Sequence, residues 1–459
     1  MSNRHLEETS LKLLKQALQQ LDSGFAALPP VSSDSAPDLR LAEVLREVAS
    51  KLHDNYPYFH PLYAGQMLKP PHPVARAAYT LAMWINPNNH ALDGGRASSA
   101  MEKEAVAQIA AMFGWKQYLG HLCGGGTMAN LEALWVAGQT RPGQKILASD
   151  QSHYTHQRIS SVLQLPFAQV PSDHRGRMDT KALARLLEAG DVGCVVATLG
   201  TTGTGSLDPL PEILRLRERH GFRLHVDAAY GGYFALASNL SSETRLSFDV
   251  IGQADSIVID PHKHGLQPYG CGCVLFGDPS VGAIYKHDSP YTYFSSSDLH
   301  LGEISLECSR PGASAVALWA TQRLLPLARG GEFAAMLAAS RDAAMQFSAR
   351  LASDEGWLVP FAPELDIVVW APRAPSVSEI SELSQRIFDA AAKENLHLAL
   401  IRLPVKFFAS QQNAIGFDRD TILCLRSALM KPEHRDWLGR IWVILDRVAG
   451  EVRIRHAAK

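Results

Sequence analysis

The chain has 459 residues, of which 46% are hydrophobic and 20% charged, and its formal net charge is −2. That is globular composition with ample length for a buried core and for more than one domain, and it lacks the basic footprint of a nucleic-acid binder. No apolar run approaches the roughly 20 residues that span a bilayer, and the N-terminal MSNRHLEETSLKLLKQALQQ has neither the apolar core nor the cleavage site of a secretory signal, so the expectation is a cytoplasmic protein that binds neither nucleic acid nor membrane.

Residues 6–28 carry Leu6, Leu11, Leu14, Leu18 and Leu21 at helical spacing and predict an amphipathic helix stopped by Pro29 and Pro30. A linker at 31–37 precedes a second helix near 38–53. One such arm cannot bury its own apolar stripe and must pack on the main body or on another subunit. From Pro57 to Pro73 the chain is rich in Pro, His and aromatic residues and reads as irregular.

Between about 75 and 330, short β-rich runs alternate with helical patterns. The runs are Lys145–Ser149, Cys194–Leu199, Arg223–Ala228, Ser256–Asp260 and Gly272–Phe276; Met128–Ala137 and Leu210–His220 are helical. The alternation predicts an α/β fold with a mostly parallel sheet covered on both faces, where ligands sit at the carboxyl ends of the strands. From 331 the character changes. An Ala-rich helix at Phe333–Leu351 leads into strand-like Leu358–Trp370. A helix at Val377–Glu394, strands at His397–Leu403 and Thr421–Arg426, and a final helix from about His434 to Val452 follow. The expected division is an N-terminal segment (1–74), a large domain (75–330) and a small α/β domain (331–459) with an antiparallel sheet. The six cysteines include a C-x-C at Cys271/Cys273 but no second pair to complete a zinc site, and they read as buried, reduced thiols.

Five polar motifs follow predicted strands or open a helix. In Leu224-His225-Val226-Asp227-Ala228-Ala229-Tyr230-Gly231-Gly232 an acid ends an apolar strand. An ionised carboxylate there needs a cationic partner. A pyridinium nitrogen is one such partner; an aspartate that caps the next turn is the plainer reading. In Asp255–Gly265 a lysine, Lys263, follows a strand, 36 residues after Asp227. That is about one strand–helix–strand unit, so both residues can face one cleft. A desolvated lysine in such a place can attack a carbonyl, although most lysines merely lie on the surface.

Leu122-Cys123-Gly124-Gly125-Gly126-Thr127-Met128-Ala129-Asn130 is a glycine-rich turn opening a helix, where free N–H groups suit a phosphate. Its spacing matches no nucleotide fingerprint. His153, in Ser149-Asp150-Gln151-Ser152-His153, can stack on an aromatic cofactor or be an exposed loop histidine. The hydroxyl-rich Thr198–Gly205 run can bind a ligand or only its own backbone.

Together the segments HLCGGGTMAN, SDQSHYT, ATLGTTGTG, HVDAAYGG, DSIVIDPHKHG and ECSRPGASAVALW resemble the group II branch of the pyridoxal phosphate (PLP)-dependent decarboxylases, the aromatic amino acid and glutamate type. The resemblance covers roughly residues 55–320. It implies fold-type I: a large seven-stranded domain, a small C-terminal domain and a homodimer with shared active sites, to which the N-terminal arm contributes. Lys263 would be the Schiff-base lysine. Asp227 would pair with the pyridinium nitrogen, Ala229 would pack on the ring and His153 would stack on the other face. Gly126, Thr127, Ser256 and His262 would surround the phosphate. Thr202 would sit near the substrate carboxylate or His153, and Arg310 would meet that carboxylate.

The family usually has an aromatic residue after the lysine. Here it is His264, and HKHGLQPYGCGCVLF and SRPGA are closer to relatives of the sphingosine-phosphate lyase type, so a carbon–carbon lyase is an alternative to decarboxylation. A non-catalytic PLP-binding scaffold is disfavoured by the intact Lys263, Asp227 and His153. A tyrosine from a mobile loop protonates the product in the family; Tyr291 and Tyr293 are the candidates. The substrate is expected to be an amino acid. Gln66 stands where the glutamate and cysteine-sulfinate enzymes have glutamine, and Lys69 or Arg96 can supply positive charge. Both features lean toward an acidic or polar substrate, with an aromatic one as the alternative.

Overall fold

A computed structural model describes residues 4–29, 40–286 and 299–458. Seven strands form the larger sheet: β1 (Leu119–Cys123), β2 (Lys145–Ser149), β3 (Phe167–Val170), β4 (Val192–Thr198), β5 (Arg223–Asp227), β6 (Ser256–Ile259) and β7 (Gly272–Phe276). Their order is β1-β7-β6-β5-β4-β2-β3. The run from β6 to β3 is parallel, while β7 lies antiparallel to both β6 and β1. The strand order reverses between β2 and β4, and such a reversal leaves a crevice at the carboxyl ends. All seven residues of β4 are buried. A strand covered on both faces reads as a continuous apolar run, which is why Val-Gly-Cys-Val-Val-Ala-Thr was visible in the sequence.

The second sheet is antiparallel, in the order β10-β11-β9-β8, from β8 (Trp357–Leu358), β9 (Ile367–Pro372), β10 (Ala399–Pro404) and β11 (Thr421–Ala428). The stretch expected as one strand over Leu358–Trp370 is thus two short strands with an irregular segment between them. β1 and β3 were not expected. Leu-Gly-His-Leu-Cys mixes Gly and His into its pattern, and Phe-Ala-Gln-Val is a four-residue edge strand with one buried position. One apolar cluster holds Leu199 and Val226 of the large sheet together with Leu365, Ile367 and Val369 of the second, so the two sheets share a core.

The helix Arg4–Ser23 is followed by Arg40–Leu52, in which no residue is buried. The expected linker at 31–37 lies outside the described residues. Five cysteines are buried, Cys308 is exposed, and all six are free thiols. Among the described residues no helix is long and apolar enough to cross a membrane.

Candidate active site

A cavity of about 510 Å³ opens at the carboxyl ends of β2, β4, β5 and β6. The backbone puts its chemistry there. Leu199 N–H donates to the Asp227 carbonyl and Ala228 N–H to that of Val258, which aligns the three strand ends. Past β6, Asp260-Pro261-His262-Lys263 closes a turn with Lys263 N–H on the Asp260 carbonyl at 2.9 Å. The Lys263 side chain is one-fifth exposed, and its Nζ lies 3.1 Å from Asp260 Oδ2.

Asp227 is 5% exposed. His156 Nε2 lies 2.9 Å from its Oδ2, Asn130 Nδ2 donates to the same oxygen at 3.3 Å, and Ala229 N–H donates to Oδ1 at 3.1 Å. Burial pushes this carboxyl up, but the hydrogen bond and charge of His156 outweigh burial, with Lys263 adding. The net effect holds Asp227 well below the ordinary carboxylate range, so it is ionised at neutral pH. The network extends one layer deeper. His225 Nε2–H donates to Asn130 Oδ1 at 2.8 Å, and His225 Nδ1 lies 2.9 Å from Ser256 Oγ. Burial, with His156 adding, lowers His225 to about 3, so its ring is neutral.

The glycine turn faces this carboxylate across the cavity. Gly125 has φ +145°, a backbone closed to L side chains, and leads directly into the helix Gly126–Thr140. A Cβ on Gly126 would stand 2.7 Å from Asp260 Oδ2. The first-turn N–H groups of this helix have no intrahelical acceptor and point outward with the positive end of its dipole. Gly124 N–H donates to Glu307 Oε2 at 2.9 Å. Thr127, His153, Thr202, Ala229 and His262 all line the cavity. His153 Nδ1 lies 2.7 Å from Thr155 Oγ1, and burial lowers its pKa. Among the described residues the buried atoms His262 Nδ1, Asp260 Oδ1 and Thr198 Oγ1 have no hydrogen-bond partner.

Two expected residues lie elsewhere. Ser256, expected near the phosphate, begins β6 at the end opposite Asp260, does not line the cavity, and its hydroxyl meets His225. Arg310, expected at the substrate carboxylate, does not line this cavity either. Its Nη1 pairs with Glu102 Oε1 at 3.0 Å and also donates to the Leu122 carbonyl, in a fully buried ion pair behind β1. Arg96 is exposed, and Lys69 lines a different cavity. Tyr291 and Tyr293 lie outside the described residues. His264 is buried between the rings of Tyr230 and Phe234, with Nε2 3.2 Å from Asp366 Oδ2.

Arg426, on β11, was not singled out in the sequence. It is 4% exposed, and its Nη2 and Nε donate to the Thr202 and Gly203 carbonyls at 2.7 and 3.0 Å. Its Nη1 makes only longer contacts, 3.3 Å to the Gly65 carbonyl and 3.4 Å to Gln66 Oε1. Gln66 itself is exposed. Asn130, His156 and His225 were missed too, although each had a signal. His225 precedes Asp227 by two on one strand face, and His156 and Asn130 fall three and four residues after the motif residues His153 and Gly126.

Residues 142–371 match the family model described as the pyridoxal-dependent decarboxylase conserved domain. The chain is 28% identical to an L-tyrosine decarboxylase of Enterococcus faecium over 77% of its own length and 76% of the relative's. It is 30% identical to a probable L-tyrosine/L-aspartate decarboxylase of Methanospirillum hungatei, covering 63% of this chain and 75% of that one. The crystal structure of Oryza sativa TDC with PLP and tryptamine superposes with a TM-score of 0.78 at 18% identity, covering 98% of this chain and 97% of that one, a likeness of fold.

Proposed function

The chain belongs to the pyridoxal-dependent decarboxylases and is an amino acid decarboxylase that uses pyridoxal phosphate; from that premise we propose that Lys263 holds the cofactor and that Arg426 and Thr202 receive the substrate carboxylate. One observation carries the reading: a single cavity contains Lys263, the ionised Asp227 and a glycine-lined helix start.

The residues present fit this cofactor. Glycine at 125 and 126 leaves room where a side chain would collide with His262 or Asp260, and the unsatisfied His262 Nδ1 stands beside that space. Gly126, Thr127 and His262 would hold the phosphate, His153 and Ala229 would flank the ring, and Lys263 would hold it covalently through its aldehyde carbon. When bound, the cofactor supplies an electron sink for the carbon that loses carbon dioxide.

With the cofactor bound, Asp227 would keep a proton on its ring nitrogen, because an ionised, buried carboxylate favours a cationic neighbour. His156 and Asn130 fix its orientation. Arg426 is a buried guanidinium whose hydrogen bonds go to neutral carbonyl and amide oxygens. Among the described residues no carboxylate hydrogen-bonds to it, so a substrate carboxylate can take that place, and the loosely held Nη1 is the arm that can turn to meet it. Holding that carboxylate would fix the orientation of the substrate's reacting carbon and so which of its bonds breaks. We assign protonation of the product carbon to Tyr291 or Tyr293. The exposed Leu41, Val44, Leu45, Val48 and Leu52 of helix Arg40–Leu52 support a homodimer in which this stripe is covered.

The positive charge expected from Lys69 and Arg96 does not reach this cavity, so the lean toward an acidic side chain rests on Gln66 beside Arg426 and on the tyrosine/aspartate relatives. Aspartate and tyrosine are therefore the first candidates, ahead of glutamate and cysteine sulfinate. Carbon dioxide release is measured for the PLP-loaded enzyme with these four and DOPA. Release from aspartate or tyrosine supports the assignment; release from none of the panel overturns it.

A further inference from the structure

A second cavity, of about 810 Å³, lies beyond the ring of Tyr269. Tyr269 stacks on His262 at 4.7 Å between ring centroids, with His262 facing the catalytic cavity and Tyr269 the second one. The two cavities share no lining residue. The walls of the second are largely apolar, from Phe59, Leu68, Leu266 and Met336. A volume of this size is that of a small-molecule site.

Its charges are unbalanced. Lys69 and Lys431 both line it. Lys431 is 4% exposed, and its Nζ donates to the Tyr63 carbonyl at 2.7 Å and lies 5.3 Å from the centre of the Tyr63 ring. Lys69 Nζ reaches the carbonyl of the adjacent Met430 at 3.5 Å. Among the described residues each ammonium group makes one hydrogen bond out of three possible, Lys69 to the Met430 carbonyl and Lys431 to the Tyr63 carbonyl. Among the described residues no carboxylate oxygen comes within 4.0 Å of either. Arg76 adds a third cation, against one acid, Glu433. Burial lowers Lys69 to about 8, and burial together with Lys69 lowers Lys431 to about 7. A buried Lys431 and a half-buried Lys69 on one cavity wall, with no carboxylate in direct contact, are costly, and an anion that contacts them removes part of that cost. The apolar walls suit a body attached to the anion.

The geometry points to a second binding site, distinct from the catalytic cavity, for a small organic acid whose anionic head meets Lys69 and Lys431 and whose apolar body lies against Phe59, Leu266 and Met336. The site does not depend on the catalytic assignment.

Hexanoate is the probe, with inorganic phosphate as a head without a body and 1-hexanol as a body without a head. Thermal melting of the PLP-loaded enzyme is followed against ligand concentration. The expected result is a saturable rise of about 2 °C with hexanoate and no comparable rise with either control. Lys431→Met and Lys69→Met each weaken the apparent affinity at least about tenfold, and Lys263→Ala leaves it unchanged. Independently of any variant, brief acetylation of the wild-type protein with acetic anhydride is mapped by mass spectrometry. Hexanoate is expected to protect Lys69 and Lys431 but not the exposed Lys51. The proposal is overturned if hexanoate gives no rise, if phosphate or hexanol acts equally, if binding is lost in Lys263→Ala (which would put the ligand in the catalytic cavity), or if neither lysine is protected.

Discussion

His156 Nε2 lies 2.9 Å from Asp227 Oδ2, with His156 fully buried and Asp227 nearly so. Asp227 ends β5 and lines the same cavity as Lys263, with His156 packed behind it on the helix Thr155–Val162. A hydrogen bond to a charged group contributes about 1.5–3 kcal/mol. His156→Gln is therefore expected to reduce kcat/KM about 10- to 100-fold while cofactor still binds. Asp227→Asn is expected to cost more, because it removes the anion itself. Steady-state kinetics on the cofactor-loaded variants check this ordering; a His156 variant at wild-type activity would remove His156 from the account.

Arg426 and Arg310 make opposite predictions. Arg426→Gln is expected to raise KM for the amino acid about 30-fold or more, because it removes a carboxylate partner, with a fall in melting temperature smaller than that of the Arg310 variant, from the lost bonds to the Thr202 and Gly203 carbonyls. Arg310→Ala is expected to destabilise the protein by about 3–5 kcal/mol, because it leaves Glu102 buried without its partner; KM of the folded fraction should hold. Kinetics and thermal melting on both variants separate the roles. The reverse pattern would restore Arg310 to the substrate.

Acid should destabilise the fold in a definable window. Burial lowers both His225 and His434 to about 3, while an unfolded histidine titrates near 6.5. Between these values the unfolded chain binds more protons than the folded one, so stability rises with pH up to about 6.5 and falls as pH drops below it. Each histidine contributes up to about 1 kcal/mol per pH unit there. Asp227 acts in the same direction but lower: its depressed carboxyl stabilises the fold above the unfolded value near 3.9, and that contribution fades as pH falls below it. Denaturant melts from pH 7 to pH 4 check the histidine window. A stability flat across it would contradict the buried neutral assignment.

The exposed stripe on helix Arg40–Leu52 predicts self-association. Sedimentation should find a dimer, and Leu41→Glu with Leu45→Glu should shift it toward monomer. A wild-type monomer at micromolar concentration would refute the reading of that face.

How much of this was legible in the sequence follows from which interactions are local. β4, β5 and β6 showed themselves because strands covered on both faces need unbroken apolar runs, and the residues just past them, Asp227 and Lys263, are set by chain position alone. Gly125 and Gly126 were visible because a turn this close to Asp260 excludes a side chain. Arg310 and Ser256 lie away from the cavity, because motif membership does not say which end of a strand, or which side of a sheet, a side chain meets. Arg426 was invisible for the complementary reason. Its partners, Thr202, Gly203 and Gln66, lie more than 200 residues away in the chain, and no local pattern encodes a contact between two sheets. β1 escaped notice because its pairing with β7 joins segments about 150 residues apart.

The central assignment is that Lys263, and no other lysine, holds the cofactor. The most direct test is borohydride reduction of the cofactor-loaded enzyme, followed by proteolysis and mass spectrometry of every lysine-containing peptide. The account predicts the phosphopyridoxyl group on Lys263, and in Lys263→Ala neither that adduct nor the visible absorbance band of the loaded enzyme. Stoichiometric attachment at another lysine, or an unchanged band in Lys263→Ala, would contradict it.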